Sequence, residues 1–452
     1  MLRSAAGSQL VLAASMLLCW LAACPSAASA HARLLRSDPP DPCAQFPALR
    51  PRQPGVDLPC DVGVVLAQPP RSLRLLFNER VQVTPRSVRV LGPSGRRVDH
   101  GPPRVSGQEV SIGVDGTERG TYQVLWRVVA ADTHPAQGSF RFTVGAPSAR
   151  PGDPAVRTGG AQRSAVGLAL QALGRAIHLA GYALAFGVLA FRQAVLFPRS
   201  LPTGVSAEAR VWRLVGGGIL ALLVAEPVAL LAQTVSLSVP PESPFNLDVA
   251  ADALDSSFGL VLAQRAGAAV LLWVLIGALR QGAVGEAAAA WGVLGLGVAV
   301  AFIDSEAAHA VGTRPAWVGF AANVLHESAM GWWIGAVLGL LAVWRQPGVR
   351  PRRDQLAAAT ARFAGPAVAV LVLSGTVMAV QHVPTLRDLF ATPYGRTLAA
   401  KVCVLEGAIA AGWAAASSAP ADRRGRWWSL EAALLLGALA LAGLLVSLPP
   451  PI

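Results

Sequence analysis

Three residues, one near the start of the chain and two about a hundred positions later, have side chains suited to holding one metal ion: His31, Asp132 and His134. A histidine at the start of a processed chain presents its free amine and its imidazole Nδ1 to the same ion, a chelate that needs no folded support. Asp132-Thr133-His134 offers a carboxylate and a second imidazole two residues apart. Along an extended segment, alternate side chains share a face. Two or three nitrogens with a carboxylate suit tetragonal Cu(II) better than Mg2+ or Ca2+, and no thiolate is at hand to select Zn2+. An Asp-x-His beside Pro135 would by itself read as ordinary packing; the histidine at a processing point makes it a candidate site.

That processing point comes from the N-terminal segment. Arg3 supplies positive charge, Leu10 to Ala23 form an apolar stretch, and Ala28-Ser29-Ala30 gives a small-x-small cleavage site. Residues 1–30 are therefore expected to be a signal peptide whose removal frees His31. A competing reading is a lipoprotein signal, Leu21-Ala22-Ala23-Cys24, which would lipidate Cys24 instead. In an oxidising compartment Cys43 and Cys60 are expected to form a disulfide; a cysteine-based metal site is the weaker rival, with no CxxC and no adjacent histidine. Cys403 falls in a late apolar segment, where a small core filler is expected.

Two kinds of element must position these residues. Between residues 31 and 145 short alternating runs sit between turn residues: Ser72–Phe77, Ser87–Leu91, Glu109–Val114, Gly120–Val129 and Gly138–Val144. That density of short strands predicts an all-β sandwich. Residues 146–164, rich in Pro, Gly, Ser, Ala and Arg, read as a linker that as a coil would span roughly 25 Å. From 165 to 452 the chain carries about eight segments long and apolar enough to span a bilayer, at about 168–190, 214–237, 258–279, 287–303, 317–343, 364–381, 398–418 and 428–448. The expected fold is thus a β-sandwich followed by an all-α polytopic membrane bundle.

Composition agrees with a membrane protein: 53% of residues are hydrophobic and only 14% charged, too apolar for an ordinary soluble chain. The net charge of +12 invites a nucleic-acid reading, but the arginines cluster in short loops between apolar runs, where topology accounts for them. With residue 31 outside, the inner loops carry Arg192, Arg199, Arg210, Arg345, Arg350 and others, against Arg314, Arg387 and Arg396 outside. The Ser238–Ser257 loop holds Glu242, Asp248, Asp252 and Asp255 and no Lys or Arg. The expected location is the cytoplasmic membrane, multi-pass, with the N-terminal domain on the extracytoplasmic side.

Ionisable residues inside a bilayer are costly and usually functional. His178 lies mid-helix in the first span and Glu226-Pro227 mid-span in the second. Asp304, Glu306 and His309 gather near the end of the fourth, His326 and Glu327 lie in the fifth, and His382 ends the sixth. His309, His326, Glu306, His382, His178 and Glu226 form a candidate copper pathway, with His309 and His326 as its favoured pair. Paired intramembrane histidines also admit a haem-binding redox protein. No Walker A motif, GxSxG or Ser/His/Asp arrangement is evident, so no enzyme activity is expected.

Specific motifs extend this reading. His31-Ala32, Phe77-Asn78-Glu79, and Trp126 through Pro135 followed by Gly138-Ser139-Phe140 resemble the CopC copper-binding proteins. The resemblance implies a cupredoxin-like or immunoglobulin-like sandwich with His31, Asp132 and His134 as Cu(II) ligands and Glu79 close by, outside the ligand set. The Cys43–Cys60 segment departs from the family as an insertion. No methionine lies between Met16 and Met330, which removes thioether ligation of Cu(I) from this domain. Ser305 to Ala310, Val324-Leu325-His326, Trp332-Trp333-Ile334-Gly335, and Thr392 through Leu398 with Lys401 resemble the CopD copper-transport membrane proteins. A CopC–CopD fusion implies Cu(II) held outside and passed to the membrane domain for import or homeostasis. Its expected partners are copper ion, the lipid bilayer and periplasmic copper donors, with no nucleic acid. Copper sequestration for resistance, without transport, is the alternative.

Intact-mass measurement of the exported protein is expected to place His31 at its N-terminus. A diacylated Cys24 terminus would remove the amine from the ligand set.

Overall fold

In the computed structural model the described residues are 32–41, 64–130, 135–147, 165–197, 204–237, 247–282, 285–307, 316–418, 421–448 and 450–451. They fall into two compact units. One comprises the strands together with residues 233–260, and the other the helical segments 168–232 and 261–452.

The first unit is a β-sandwich of two sheets. One sheet orders β1 (Leu34–Asp38), β3 (Ser72–Phe77), β7 (Glu109–Val114) and β6 (Asp99–Ser106) as β1-β3-β7-β6. The other runs β2-β9-β8-β4, from β2 (Val64–Leu66), β9 (Pro135–Val144), β8 (Gly120–Ala130) and β4 (Val81–Gln82), with β5 (Val88–Leu91) also pairing β8. The pairs are antiparallel except β2 with β9. Alternation builds the core: in β3, Leu73, Leu75 and Phe77 point inward, while Ser72 and Arg74 face out. They meet Val124, Phe140 and Phe142 of the facing sheet. The five strands expected from the sequence are all present, two of them longer, with Ala130 added to β8 and Pro135–Gln137 to β9.

Within the same unit, residues 233–260 are tied to the strands by polar contacts. The Arg127 guanidinium donates to the Leu237 carbonyl at 3.2 Å, and the Ser257 amide donates to Gln82 Oε1 at 2.6 Å. Arg86 pairs with Asp248 at 3.0 Å. These contacts hold the short helix α3 (Leu247–Leu254), which lies within the acidic Ser238–Ser257 segment expected as a loop.

The helical unit is built from α1 (Ala165–Leu196), α2 (Gly204–Leu237), α4 (Ser257–Arg280), α5 (Glu286–Glu306), α6 (Ala316–Trp344), α7 (Arg353–His382), the short α8 (Leu386–Ala391), α9 (Pro393–Ser417) and α10 (Ala421–Ser447). Among the described residues seven helices are long and apolar enough to cross a membrane. The remaining expected span, 287–303, lies in α5, a helix of 21 residues in which some side chains fall outside the described set. Large apolar side chains such as Trp273, Leu373, Val380 and Trp413 are exposed on these helices, as a lipid-facing surface requires. Cys403, expected as core filler, is exposed as well.

Two positions show why small residues matter in this bundle. In α1 two π-helical turns, Ala183–Gly187 and Arg192–Leu196, interrupt the α-helix. The first brings Gly187 backbone-to-backbone against Gly331 and Gly335 of α6, and a Cβ on Gly187 would collide with the Gly331 carbonyl. The small-x-x-x-small spacing of Gly331 and Gly335 is the usual means by which membrane helices approach this closely.

Gly335→Leu is expected to force α1 and α6 apart. Thermal denaturation of the full chain in detergent should show a drop in midpoint of several degrees or loss of the folded species, while Gly216→Leu, at an exposed position where an added Cβ meets nothing within 4 Å, leaves the midpoint within about a degree, as surface changes usually do.

Candidate metal centres

Of the residues expected to ligate Cu(II) in the sandwich, His31, Asp132 and His134 lie outside the described residues, as do Cys43 and Cys60. Ala32 after His31, Ala130 two residues before Asp132, and Pro135 after His134 are described. Arg33 exchanges hydrogen bonds with Asn78: its amide donates to Asn78 Oδ1 at 2.5 Å, and its carbonyl accepts from the Asn78 amide at 3.0 Å. Asn78 and Glu79 sit in the turn that carries the chain from β3 in one sheet to β4 in the other. Val81 at the start of β4 is opposite Ala130, the last residue of β8, and Val129 is opposite Pro135, the first of β9. Ala32, Phe77, Val81, Ala130 and Ala136 all belong to one buried cluster. One end of the sandwich therefore collects the residues adjoining His31, Asp132 and His134, with Glu79 buried in the same turn.

Trp126 of the resembling motif is fixed from both sides. Its indole lies over Gly138, where a Cβ would stand 2.5 Å from Cζ2, and it meets Phe77 edge-on with centroids 5.3 Å apart. Gly138 is thus required by the tryptophan opposite it, which accounts for a glycine inside a strand.

The helical unit holds a second constellation. Five helices each supply one ionisable side chain to a single point: His178 from α1, Glu226 from α2, Arg265 from α4, Asp304 from α5 and Glu327 from α6. His178 Nε2 donates to Asp304 Oδ2 at 2.8 Å, and its Nδ1 lies 3.3 Å from Glu226 Oε1. Arg265 Nε donates to Asp304 Oδ1 at 2.5 Å, and the guanidinium also pairs with that oxygen through Nη2. Ligand atoms of His178, Asp304 and Glu327 lie within 4.8 Å of one another, close enough to share a metal ion.

These residues line a cavity of about 180 Å3 that also carries His326, His382, Tyr394, Lys401, Met330 and Met378. His326 Nδ1 is 3.1 Å from both the Leu371 carbonyl and Ser374 Oγ. Since the carbonyl can only accept, Nδ1 carries the proton, and a neutral ring keeps its lone pair on Nε2. His382 is buried, with Nδ1 donating to the Met378 carbonyl at 2.7 Å and its ring 6.2 Å from that of Tyr394.

Of the six residues named as a membrane pathway, four line this one cavity: His178, Glu226, His326 and His382. Glu306, half-buried at the end of α5, does not line it, and His309 lies outside the described residues. The sequence alone gives no role to Arg265, on the cavity wall, or to Glu431, whose Oε1 accepts from Trp333 Nε1 at 2.8 Å, and it singles out Lys401, also on the wall, only within the CopD-like motif. The signal was present: Arg265 is an arginine inside an otherwise apolar helix, the kind of residue that membrane spans keep only with a partner.

Comparison with known proteins bears on the sandwich. The CopC domain family matches residues 60–145. Among solved structures, the crystal structure of CopC from Methylosinus trichosporium OB3b is similar at 20% identity, covering 26% of this chain and 98% of that chain, with a TM-score of 0.19. No curated protein matches.

Arg265→Leu is expected to leave Asp304 buried beside His178 without its guanidinium. Breaking a buried pair in this way costs about 3–5 kcal/mol, and unfolding of the detergent-solubilised chain should register it. Removing Arg265 and Asp304 together, as Arg265→Leu with Asp304→Asn, should recover part of the loss.

Proposed function

We propose that the chain binds Cu(II) through its exported β-sandwich and passes it to the membrane domain, serving copper import or homeostasis. The observation that carries the reading is the CopC domain match over residues 60–145, which contains both Asp132 and His134. It is supported by the gathering of their chain neighbours, and those of His31, at one end of the sandwich.

In this reading the free amine and Nδ1 of His31 form the chelate, His134 supplies a second imidazole, and Asp132 supplies an oxygen. The set is nitrogen-rich, which favours tetragonal Cu(II). Glu79, buried in the β3–β4 turn, stands next to the set rather than in it. The helical unit takes the role of a CopD-like transport domain. What supports that role is its helices of membrane-crossing length together with a cavity lined by His178, His326 and His382. His309 and Glu306 belong to the same proposed pathway as its entry. The N-terminal domain lies outside the cytoplasmic membrane, and the ion arrives from periplasmic donors.

Cu(II) titration of the full chain with a competing chelator tests the sandwich site. His134→Ala, or a single residue added ahead of His31, is expected to weaken the site by tenfold or more. Unchanged affinity in both variants would refute the ligand assignment. His326→Ala should abolish copper-dependent accumulation in cells while leaving that Cu(II) site intact.

A further inference from the structure

We infer that the point where α1, α2, α4, α5 and α6 meet is a second copper site, with His178 Nε2, Asp304 Oδ2 and Glu327 as ligands and Glu226 orienting the imidazole. The inference deepens the reading of the chain as a copper protein and rests on it. The three ligand atoms already lie within 4.8 Å of one another. Ligands bound at about 2.1 Å to one ion stand at most about 4.2 Å apart, so closing the site takes less than an ångström of side-chain movement.

Two carboxylate oxygens at this point are buried without a hydrogen-bond partner among the described residues: Glu327 Oε1 and Glu226 Oε2. Both residues are more than nine-tenths buried, and both line the cavity. Orphaned buried carboxylate oxygens are rare, because each costs the desolvation of a polar group with nothing in return. A bound cation answers for them together.

The hydrogen-bond pattern fits insertion of the ion. Facing a carboxylate, which only accepts, His178 Nε2 donates to Asp304 Oδ2. An ion bound between those atoms would take the Nε2 lone pair and leave the ring's proton on Nδ1. There it faces Glu226 Oε1, now 3.3 Å away, which accepts it. The result is the carboxylate–histidine–metal arrangement that fixes a ring and raises its basicity. Arg265 holds Asp304 by its other oxygen, Oδ1, leaving Oδ2 for the ion.

The choice of copper comes from the rest of the wall. The chain has four methionines, and the two beyond position 16, Met330 and Met378, both line this cavity. Mg2+ and Ca2+ have no use for imidazole or thioether, whereas copper takes imidazole and carboxylate as Cu(II) and thioether as Cu(I).

Copper bound per chain, measured on the full protein in detergent after removal of free metal, tests the assignment. With Cu(II) the wild type is expected to hold two equivalents. His134→Ala should remove one, His178→Ala or the isosteric Glu327→Gln the other, and the combination both. Glu226→Gln should keep two equivalents but weaken one of them 10–100-fold. A wild type that holds one equivalent, lost on His134→Ala, would overturn the inference and leave the sandwich site standing. So would Glu327→Gln protein that is monodisperse and still binds two. Binding of only Cu(I), under ascorbate and dependent on Met330 rather than Glu327, would also overturn it. Two equivalents indifferent to His134→Ala would instead refute the sandwich reading.

Discussion

Asp304 receives a guanidinium on one carboxylate oxygen and an imidazole on the other. This single side chain ties three helices together deep in an apolar bundle, and two more carboxylates close around it from α2 and α6. An ion pair or carboxylate in such surroundings cannot borrow water to satisfy its remaining valences. Each partner must therefore come from another helix at a fixed height. The cavity, its lining histidines and the relative register of five helices all follow from that requirement.

The bundle meets the requirement by bringing backbones unusually close. Gly187, Gly331 and Gly335 let α1 and α6 touch main chain to main chain, and the π-helical turn at Ala183–Gly187 resets the phase of α1 after His178. His178 sits in the regular helix just before that turn, and Glu327 lies one turn before Gly331. Packing by small residues and placement of the polar groups are thus parts of one device. A larger side chain at the crossing would move His178 and Glu327 apart along with their helices.

The sequence shows most of the architecture because its periodicities are strong. Strands such as β3 and β7 alternate cleanly, and the long helices announce themselves by length and apolarity. The strands it misses lack that signal. β6 is exposed along most of its length and contains Pro102 and Pro103, while β2 and β4 have three and two residues. The polar centre was only partly legible. His178 and Glu226 stand out as lone ionisable residues in apolar runs, but nothing along the chain says that Arg265, 39 residues before Asp304, is its partner. Sequence position along α6 favours His326 for the pathway, yet it is the next residue, Glu327, that joins the five-helix cluster; His326 turns toward α7 and bonds the Leu371 carbonyl. A shift of one residue on a helix turns a side chain by about 100°, which only packing can resolve.

The sandwich and the bundle share a chemical theme: imidazole nitrogen and carboxylate oxygen, without thiolate. In the proposed sandwich site the set is His31, Asp132 and His134, and no methionine between residues 16 and 330 offers sulfur. X-ray absorption at the copper edge, on the full chain loaded with one equivalent of Cu(II), tests that theme most directly. The account predicts a first shell of nitrogen and oxygen at about 2.0 Å, with the outer-shell scattering of at least one imidazole. A sulfur shell at about 2.3 Å, or a spectrum without imidazole scattering, would contradict it.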